Sequence, residues 1–566
     1  VRGLLAAIGL HQAVAERPGA EVALPASELA SRRQRRRADA PGGAERWGRL
    51  RVWLAIVGPC ALTAVLVAIE LGRRSLWLDE GATVAIVSQH GTALWAALAH
   101  DGGNMLAFYL LLHLLVGIFG DGTTLLRLPA AVATVATVGL VSLLGARLFD
   151  RRVALAAALL TAVSLPLIFW GQDARGYAPL ITFITASFYT FTLIVQRPAP
   201  APRRLLVAYG VCTALAAYMQ IVTALIVPAQ LLVLAIRREH ARAVVRTLAF
   251  TALGCLPLFV LATLRGASQL FWVPSPNIEG IGQTLRWLTS SGMPPNFHAA
   301  AGGNIVLIVS LVALAVAGAT FWQRAHGAWP ALRAPKSERW RDGDVLGLFI
   351  VLGWIVVPLA LSLAESAAGQ PILLYRNSVI CLPAVALAIA WAAFRTRLAP
   401  RTAWLAVGGL LALRAVQLIP SYGVSPENWK AAEAYVVANA RPGDCIAFYP
   451  RDGRMAFDYY VRARGQEDSA PRPVDPSASW AQIRPYVEDY TIPAGRALTR
   501  IESRCPRVWF IASHQGQLNG PPGSLTNYIR YRIFQDQLQS VYQHFHTHVF
   551  GWAAQVRVEL LSDRRR

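Results

Sequence analysis

Charge is scarce in this sequence. Of 566 residues, 15% are Asp, Glu, Lys or Arg against 55% apolar, and the mean hydropathy is +0.40. Soluble domains carry about 25% charged residues, so an ordinary soluble enzyme is excluded. Cysteine in metal-binding spacing is missing as well: the six cysteines form no CxxC pair or Cys/His cluster, leaving no visible zinc or iron–sulfur site. No glycine-rich phosphate loop or GxGxxG pattern occurs, and no nucleotide site is expected. A cleavable signal peptide is not expected either. The first long apolar run, 52–71, is too long for one and ends in Glu70-Leu71-Gly72-Arg73-Arg74 without a small-residue cleavage site.

What is present is a series of apolar runs of about 20 residues, each enough to cross a ~30 Å hydrocarbon core as a helix. They lie at 52–71, 125–147, 153–170, 178–195, 205–219, 221–236, 246–264, 304–322, 344–364, 372–394 and 402–420. The expected fold class is a polytopic α-helical membrane protein with about 11 transmembrane helices. The apolar segment 103–119 poses the main topological choice, because counting it as a span inverts every later loop. If it does not span, the cytoplasmic pieces carry 28 Lys/Arg and the opposite short loops seven. That asymmetry is what the positive-inside rule demands, so 103–119 reads as an outer juxtamembrane helix.

The formal charge of +22 therefore reports orientation and not nucleic-acid binding. Residues 1–51, with the run Arg32-Arg33-Gln34-Arg35-Arg36-Arg37, read as a disordered basic cytoplasmic tail; a start placed too far upstream would look the same. Residues 52–420 form the membrane domain, with outer juxtamembrane helices at 81–119. An odd number of spans then puts 421–566 outside. This segment has 18 Lys/Arg and 14 Asp/Glu, a normal mixed surface. Strand-like runs (Cys445–Tyr449, Val508–Ala512, Ala554–Leu561) alternate there with helix-like ones (Trp429–Ala440, Leu525–Phe545), which predicts a small extracytoplasmic α/β domain. Cys445 and Cys505 would be bridged if their strands are adjacent, since a disulfide persists outside the cell. Sequence fixes no distance, and two separate buried thiols are the first reading.

Polar groups cluster at the outer ends of the apolar runs, where burial alone does not explain them. Asp79 and Glu80 follow the first span; their plain reading is capping of the next helix, their sharper one a general base. Asp101-Gly102-Gly103-Asn104 suits a turn, and Tyr109 and His113, four apart, share a helix face suited to packing. Arg175, beside Asp173 and Tyr177, suits either snorkelling or a phosphate, and Arg376 lies on the same side.

In order, these clusters resemble the GT-C glycosyltransferases, in particular the protein O-mannosyltransferase and lipid A aminoarabinose-transferase superfamily with its actinobacterial-type membrane mannosyltransferases. The matching pieces are Trp77-Leu78-Asp79-Glu80, Asp101-Gly102-Gly103-Asn104 with Phe108-Tyr109 and His113, Leu126-Arg127-Leu128-Pro129, Gln172-Asp173-Ala174-Arg175-Gly176-Tyr177, and Tyr375-Arg376 before Leu382-Pro383. They cover about residues 52–400. The resemblance implies a GT-C fold and an inverting transfer of a sugar, a mannose-like hexose or a pentose, from a polyprenyl-phosphate donor. The acceptor is implied to be a lipid, glycan or protein of the cell envelope, reached at the outer face of the plasma membrane. It implies catalytic roles for Asp79, as the base, and Glu80, and donor-phosphate contacts from Arg175 and Arg376. Asp101, Asn104, Tyr109, Asp173 and Tyr177 are implied to bind substrate. No cofactor is expected, although these carboxylates would suit a divalent cation if they converged. A transporter is the rival class and a membrane receptor the third. A transporter predicts repeated halves with broken helices at the midplane, and no repeat is seen.

Overall fold

Apolar runs too long for any strand fold as helices, and six of them among the described residues are long and apolar enough to cross a membrane. These are Thr123–Leu148, Tyr177–Val195, Gly303–Ala325, Asp344–Ala367, Tyr375–Arg395 and Pro400–Tyr422. The computed structural model describes residues 43–566 apart from 267–272, 294–298, 333–342, 370, 396–398, 424, 480–488, 552–553 and 566, with backbone alone for 43–54, 326–332 and 343. The expected basic tail up to residue 42 therefore lies outside the described residues. Ala55–Arg566 pack as one unit, and all contacts below fall within it.

Two further spans are bent. Arg151–Ala162 meets Leu165–Gly171 at 56°, and Arg238–Gly254 meets Leu256–Arg265 at 53°. In each case a proline opens the second helix, where its missing N–H costs nothing but the preceding turn cannot continue. The first break is answered from across the bundle: the buried Arg414 donates through Nη1 to the Leu160 carbonyl at 3.0 Å, placing a cation at a helix C-terminus. Counting each bent pair as one span gives eight, short of the eleven expected. The remaining three fall on shorter helices. Arg203–Met219 has 17 residues, Ala55–Ala68 is the apolar part of Gly43–Ala68, and Ile221–Ile236 begins as a 3-10 turn after the extended residue Gln220.

Beyond the last long helix the pattern changes to mixed strands and helices. Five strands, β1 (Cys445–Tyr449), β2 (Arg472–Asp475), β3 (Val508–Ala512), β4 (Tyr542–Phe550) and β5 (Val556–Arg564), form one sheet in the order β2-β1-β3-β5-β4. β1 pairs in parallel with β2 and β3, while β5 is antiparallel to β3 and β4. β1 and β3 are buried along their whole length, as strands covered on both faces are. The two faces alternate along β1. Ile446 and Phe448 join a core with Leu76, Leu78, Val84 and Trp429, whereas Cys445, Ala447 and Tyr449 join one with Phe534 and Leu538 of the helix Pro522–Val541. The first core ties the sheet to the loop and helix that follow the first apolar run.

Two expectations need correction here. Leu525–Phe545 was expected to be one helix; the helix ends at Val541, and Tyr542 turns extended to begin β4, its buried hydroxyl donating to the Cys505 carbonyl at 2.8 Å. Helical periodicity in the polar stretch could not reveal that anchor. Cys445 and Cys505, read first as separate thiols, are bridged, with their Cα atoms 5.7 Å apart. The parallel pairing of β1 with β3 brings them together: Cys445 opposes Val508, and its N–H donates to the Arg507 carbonyl. Replacing both by Ser should cost roughly 2–4 kcal/mol of stability, since the bridge closes a long loop. Calorimetry of the variant and non-reducing peptide mapping check this, and freely alkylated thiols in the untreated protein would refute the bridge.

Candidate functional site

The helix Leu78–Val87 starts directly after Trp77, so Asp79 and Glu80 both sit in its first turn, where a carboxylate meets the positive end of the helix dipole. Successive residues of a helix point about 100° apart, and the two acids consequently face different surroundings. Asp79 faces a cluster of cations. Its Oδ2 lies 3.7 Å from Arg175 Nη2 and 3.6 Å from Arg376 Nη1. These separations exceed the 2.7–2.9 Å of a direct charge-assisted hydrogen bond, so the carboxylate balances the two guanidiniums without locking onto either.

Glu80 faces inward and is fully buried. Arg127 grips it with two parallel bonds, Nε to Oε1 and Nη2 to Oε2, both 2.7 Å, and the Ala174 N–H donates to Oε1 at 2.8 Å. Burial pushes its carboxyl up, but the Arg127 charge and hydrogen bonds win and hold it below its ordinary value. The expected catalytic role for Glu80 conflicts with this geometry, because both oxygens are committed. Arg127 also donates to the carbonyls of Leu71, Arg74 and Ser75, so the pair staples the loop 71–75 to the helix carrying Asp79.

The other expected site residues divide between these two environments. Tyr109, from the helix Leu106–Phe119, accepts a 2.8 Å bond on its hydroxyl from Arg175 Nη1. Asp101, half-buried and hydrogen-bonded to Tyr109, has its carboxyl pushed up to about 7, chiefly by desolvation, with Arg175 opposing. Tyr177 is buried, hydrogen-bonds Arg376 and packs on Trp170 with ring centroids 4.0 Å apart. Asp79, Arg175, Arg376, Tyr109, Asp101 and Tyr177 thus form one constellation. Asp173 does not join it. Its Oδ1 accepts from Trp77 Nε1 at 3.0 Å on the Glu80 side, where burial raises its carboxyl well above the usual range. Asn104 is half-buried in the turn Asp101–Met105, where its N–H donates to the Asp101 carbonyl, and no bond of its side chain links it to Asp79. His113 donates from Nδ1 to the Val87 carbonyl, 2.7 Å away, which fits its packing reading.

One acid–base pair at this site escaped sequence reasoning. Glu427, fully buried, accepts from the Leu78 N–H at 2.9 Å and from Trp429 Nε1, while His514 Nδ1 lies 2.7 Å from its other oxygen. Burial alone would lower the imidazole, but Glu427, and to a smaller extent Asp79 and Asp452, raise it to about 9. A raised histidine stabilises the fold fully below its ordinary 6.5 and loses that contribution as the pH rises through about 9. Neither residue lies in a motif or beside Asp79 in sequence, so only the fold brings them there. Among the described residues no group of three or more His, Cys, Asp or Glu is placed to hold a metal ion.

Against known proteins, residues 104–264 match the family model described as dolichyl-phosphate-mannose-protein mannosyltransferase. The matched stretch carries the Tyr109 helix and Arg175. No curated protein matches the chain. Among solved structures, ArnT from Cupriavidus metallidurans bound to undecaprenyl phosphate is 14% identical, over 89% of this chain and 97% of that one, with a TM-score of 0.45. The Archaeoglobus fulgidus oligosaccharyltransferase tethered to an acceptor peptide is 13% identical, over 88% of this chain and 74% of that one, with a TM-score of 0.48.

Proposed function

We propose that this chain is a GT-C glycosyltransferase that transfers a sugar, with inversion, from a polyprenyl-phosphate donor to a hydroxyl of a cell-envelope acceptor. The single observation that carries the reading is the Asp79 carboxylate poised between Arg175 and Arg376. A lipid phosphate is already a tolerable leaving group. The protein must then deprotonate the acceptor, neutralise the departing phosphate and align the two. Asp79 takes the hydroxyl proton; the oxygen attacks the anomeric carbon, and the bond from that carbon to the phosphate oxygen breaks, its electron pair leaving on the phosphate. Arg175 and Arg376 neutralise that charge. In the absence of substrate Asp79 balances them, and an arriving phosphate takes over the arginines and frees the carboxylate to accept a proton. Tyr109 and Tyr177 orient the two guanidiniums, and Glu80 acts as a positioning residue. The match to a dolichyl-phosphate-mannose family supports a lipid-linked donor; whether the sugar is a hexose or a pentose is decided by transfer assays.

Orientation follows from the same reading. The excess of basic residues on one set of loops, and a disulfide that persists only in an oxidising compartment, favour a C-terminal region outside the plasma membrane and an N-terminus inside. No observation favours the transporter reading.

The test has two arms. Purified protein offered a panel of polyprenyl-phosphate sugars and envelope acceptors should give a transfer product by mass spectrometry, and no product from any donor would sink the reading. Arg175→Ala and Arg376→Ala should each weaken donor-lipid binding by about 10–100-fold, the worth of a charge-assisted hydrogen bond to phosphate. Unchanged affinity would remove that arginine's role.

A further inference from the structure

The loop before Asp79 is held by the far end of the chain at consecutive points. Ser75 Oγ donates to the Leu76 carbonyl at 2.9 Å and accepts from the Lys430 N–H at 3.0 Å, and the Ser75 carbonyl accepts from Ser425 Oγ at 2.9 Å. The Leu76 N–H donates to the Tyr460 hydroxyl at 2.6 Å and the Leu78 N–H to Glu427 at 2.9 Å. Leu78 and the residues after it open a helix whose N-cap, Trp77, offers no side-chain acceptor. Orphan N–H groups at a helix start need a partner, and a carboxylate there also meets the dipole. Glu427, from 349 residues away, is that partner.

Packing agrees with the bonding. Gly81, one turn into the helix, lies so near the helix Gly453–Ala463 that a Cβ would sit 3.1 Å from the Ala456 Cβ. Glu427 is itself fixed by Trp429 and by His514, whose backbone holds the left-handed φ of 50°, a conformation that costs energy outside glycine. The strained, partly exposed histidine thus lies against a buried carboxylate and close enough to Asp79 to feel its charge.

We propose that the Glu427–His514 pair is part of the transfer site, Glu427 acting as a positioning residue that sets Asp79 through the Leu78 amide, with His514 holding Glu427 in place. The inference rests on Asp79 being the base. It makes the C-terminal region a working piece of the site: the membrane helices supply the phosphate-binding arginines, and the region after the last long helix sets the position of the base.

The experiment compares Glu427→Gln, His514→Gln and Asp79→Asn in the full-length protein, reading kcat, acceptor KM, donor-lipid affinity and amide exchange of the peptide spanning 75–80. A base displaced by about 1 Å loses on the order of 10²-fold in rate. Glu427→Gln should therefore lower kcat by about that factor with donor affinity unchanged and exchange at 75–80 accelerated. His514→Gln, which keeps a donor but loses the charge, should fall in the same direction by less. His514 is partly exposed and its replacement by Gln keeps a hydrogen-bond donor beside Glu427, so this variant decides the question if Glu427→Gln does not fold. Wild-type kcat in both folded variants, or a loss of donor affinity as large as the loss of kcat, would overturn the inference. If Asp79→Asn is inactive while Glu427→Gln runs at full speed, only the positioning role falls. If Asp79→Asn itself turns over, the base assignment and this inference fall together.

Discussion

Asp79→Asn should leave a folded protein that binds donor lipid and transfers almost no sugar. The amide is isosteric with the carboxylate and keeps its place in the first helical turn, but it cannot accept the acceptor's proton. A general base contributes about 10²–10⁴-fold, so the residual rate should fall by that much. Donor affinity should hold or rise. Asp79 neutralises the cation pair in the resting site, and removing its charge leaves Arg175 and Arg376 more available to a phosphate. The two readouts must therefore separate, kcat collapsing while donor binding does not weaken. A parallel fall in both would mean that Asp79 holds the site together and does no proton chemistry; wild-type turnover would remove it from the mechanism.

The membrane helices were legible because burial in lipid writes itself into composition: runs of about 20 apolar residues admit few other structures. The breaks within them were not. A kink such as that between Ala162 and Leu165 depends on whether a distant group, here Arg414, takes up the freed carbonyl, and no local signal announces it. At the site, the same limit divides the acids. Asp79, Arg175 and Arg376 could be gathered from sequence because topology puts their loops on one face. Asp79 and Glu80 adjoin in the chain, however, and only the packing of the helix shows that one faces the arginine cluster and the other lies under Arg127. Asp173 is similar: two residues from Arg175, it turns to Trp77 instead. Glu427 and His514 carried no signal at all, because their significance comes from the Leu78 amide, a backbone group common to every sequence. The sheet was half visible. β1 and β3 are apolar throughout, whereas β4 exposes nearly every residue and looks like solvated helix.

The staple beneath Asp79 gives the second large effect. Arg127→Met should destabilise the protein by about 3–5 kcal/mol, because it strands the fully buried Glu80 without its counter-charge. It also removes donors to the carbonyls of Leu71, Arg74 and Ser75, so the loop leading to Asp79 loosens and transfer falls with stability. The double variant Glu80→Gln/Arg127→Met should recover part of the loss, since a neutral amide buries at far lower cost than a carboxylate. Thermal unfolding in detergent of the wild type, Glu80→Gln, Arg127→Met and the double variant closes the double-mutant cycle, and coupling near zero would contradict a stapling role. The pair also fixes a direction with pH. Glu80 is held below its ordinary 4.5, so its contribution to stability is complete above that value and is lost as the pH falls through the depressed one. The wild type should therefore lose stability on acidification more steeply than the double variant, in which position 80 has no carboxylate to protonate; equal slopes would show that Glu80 is already neutral in the fold.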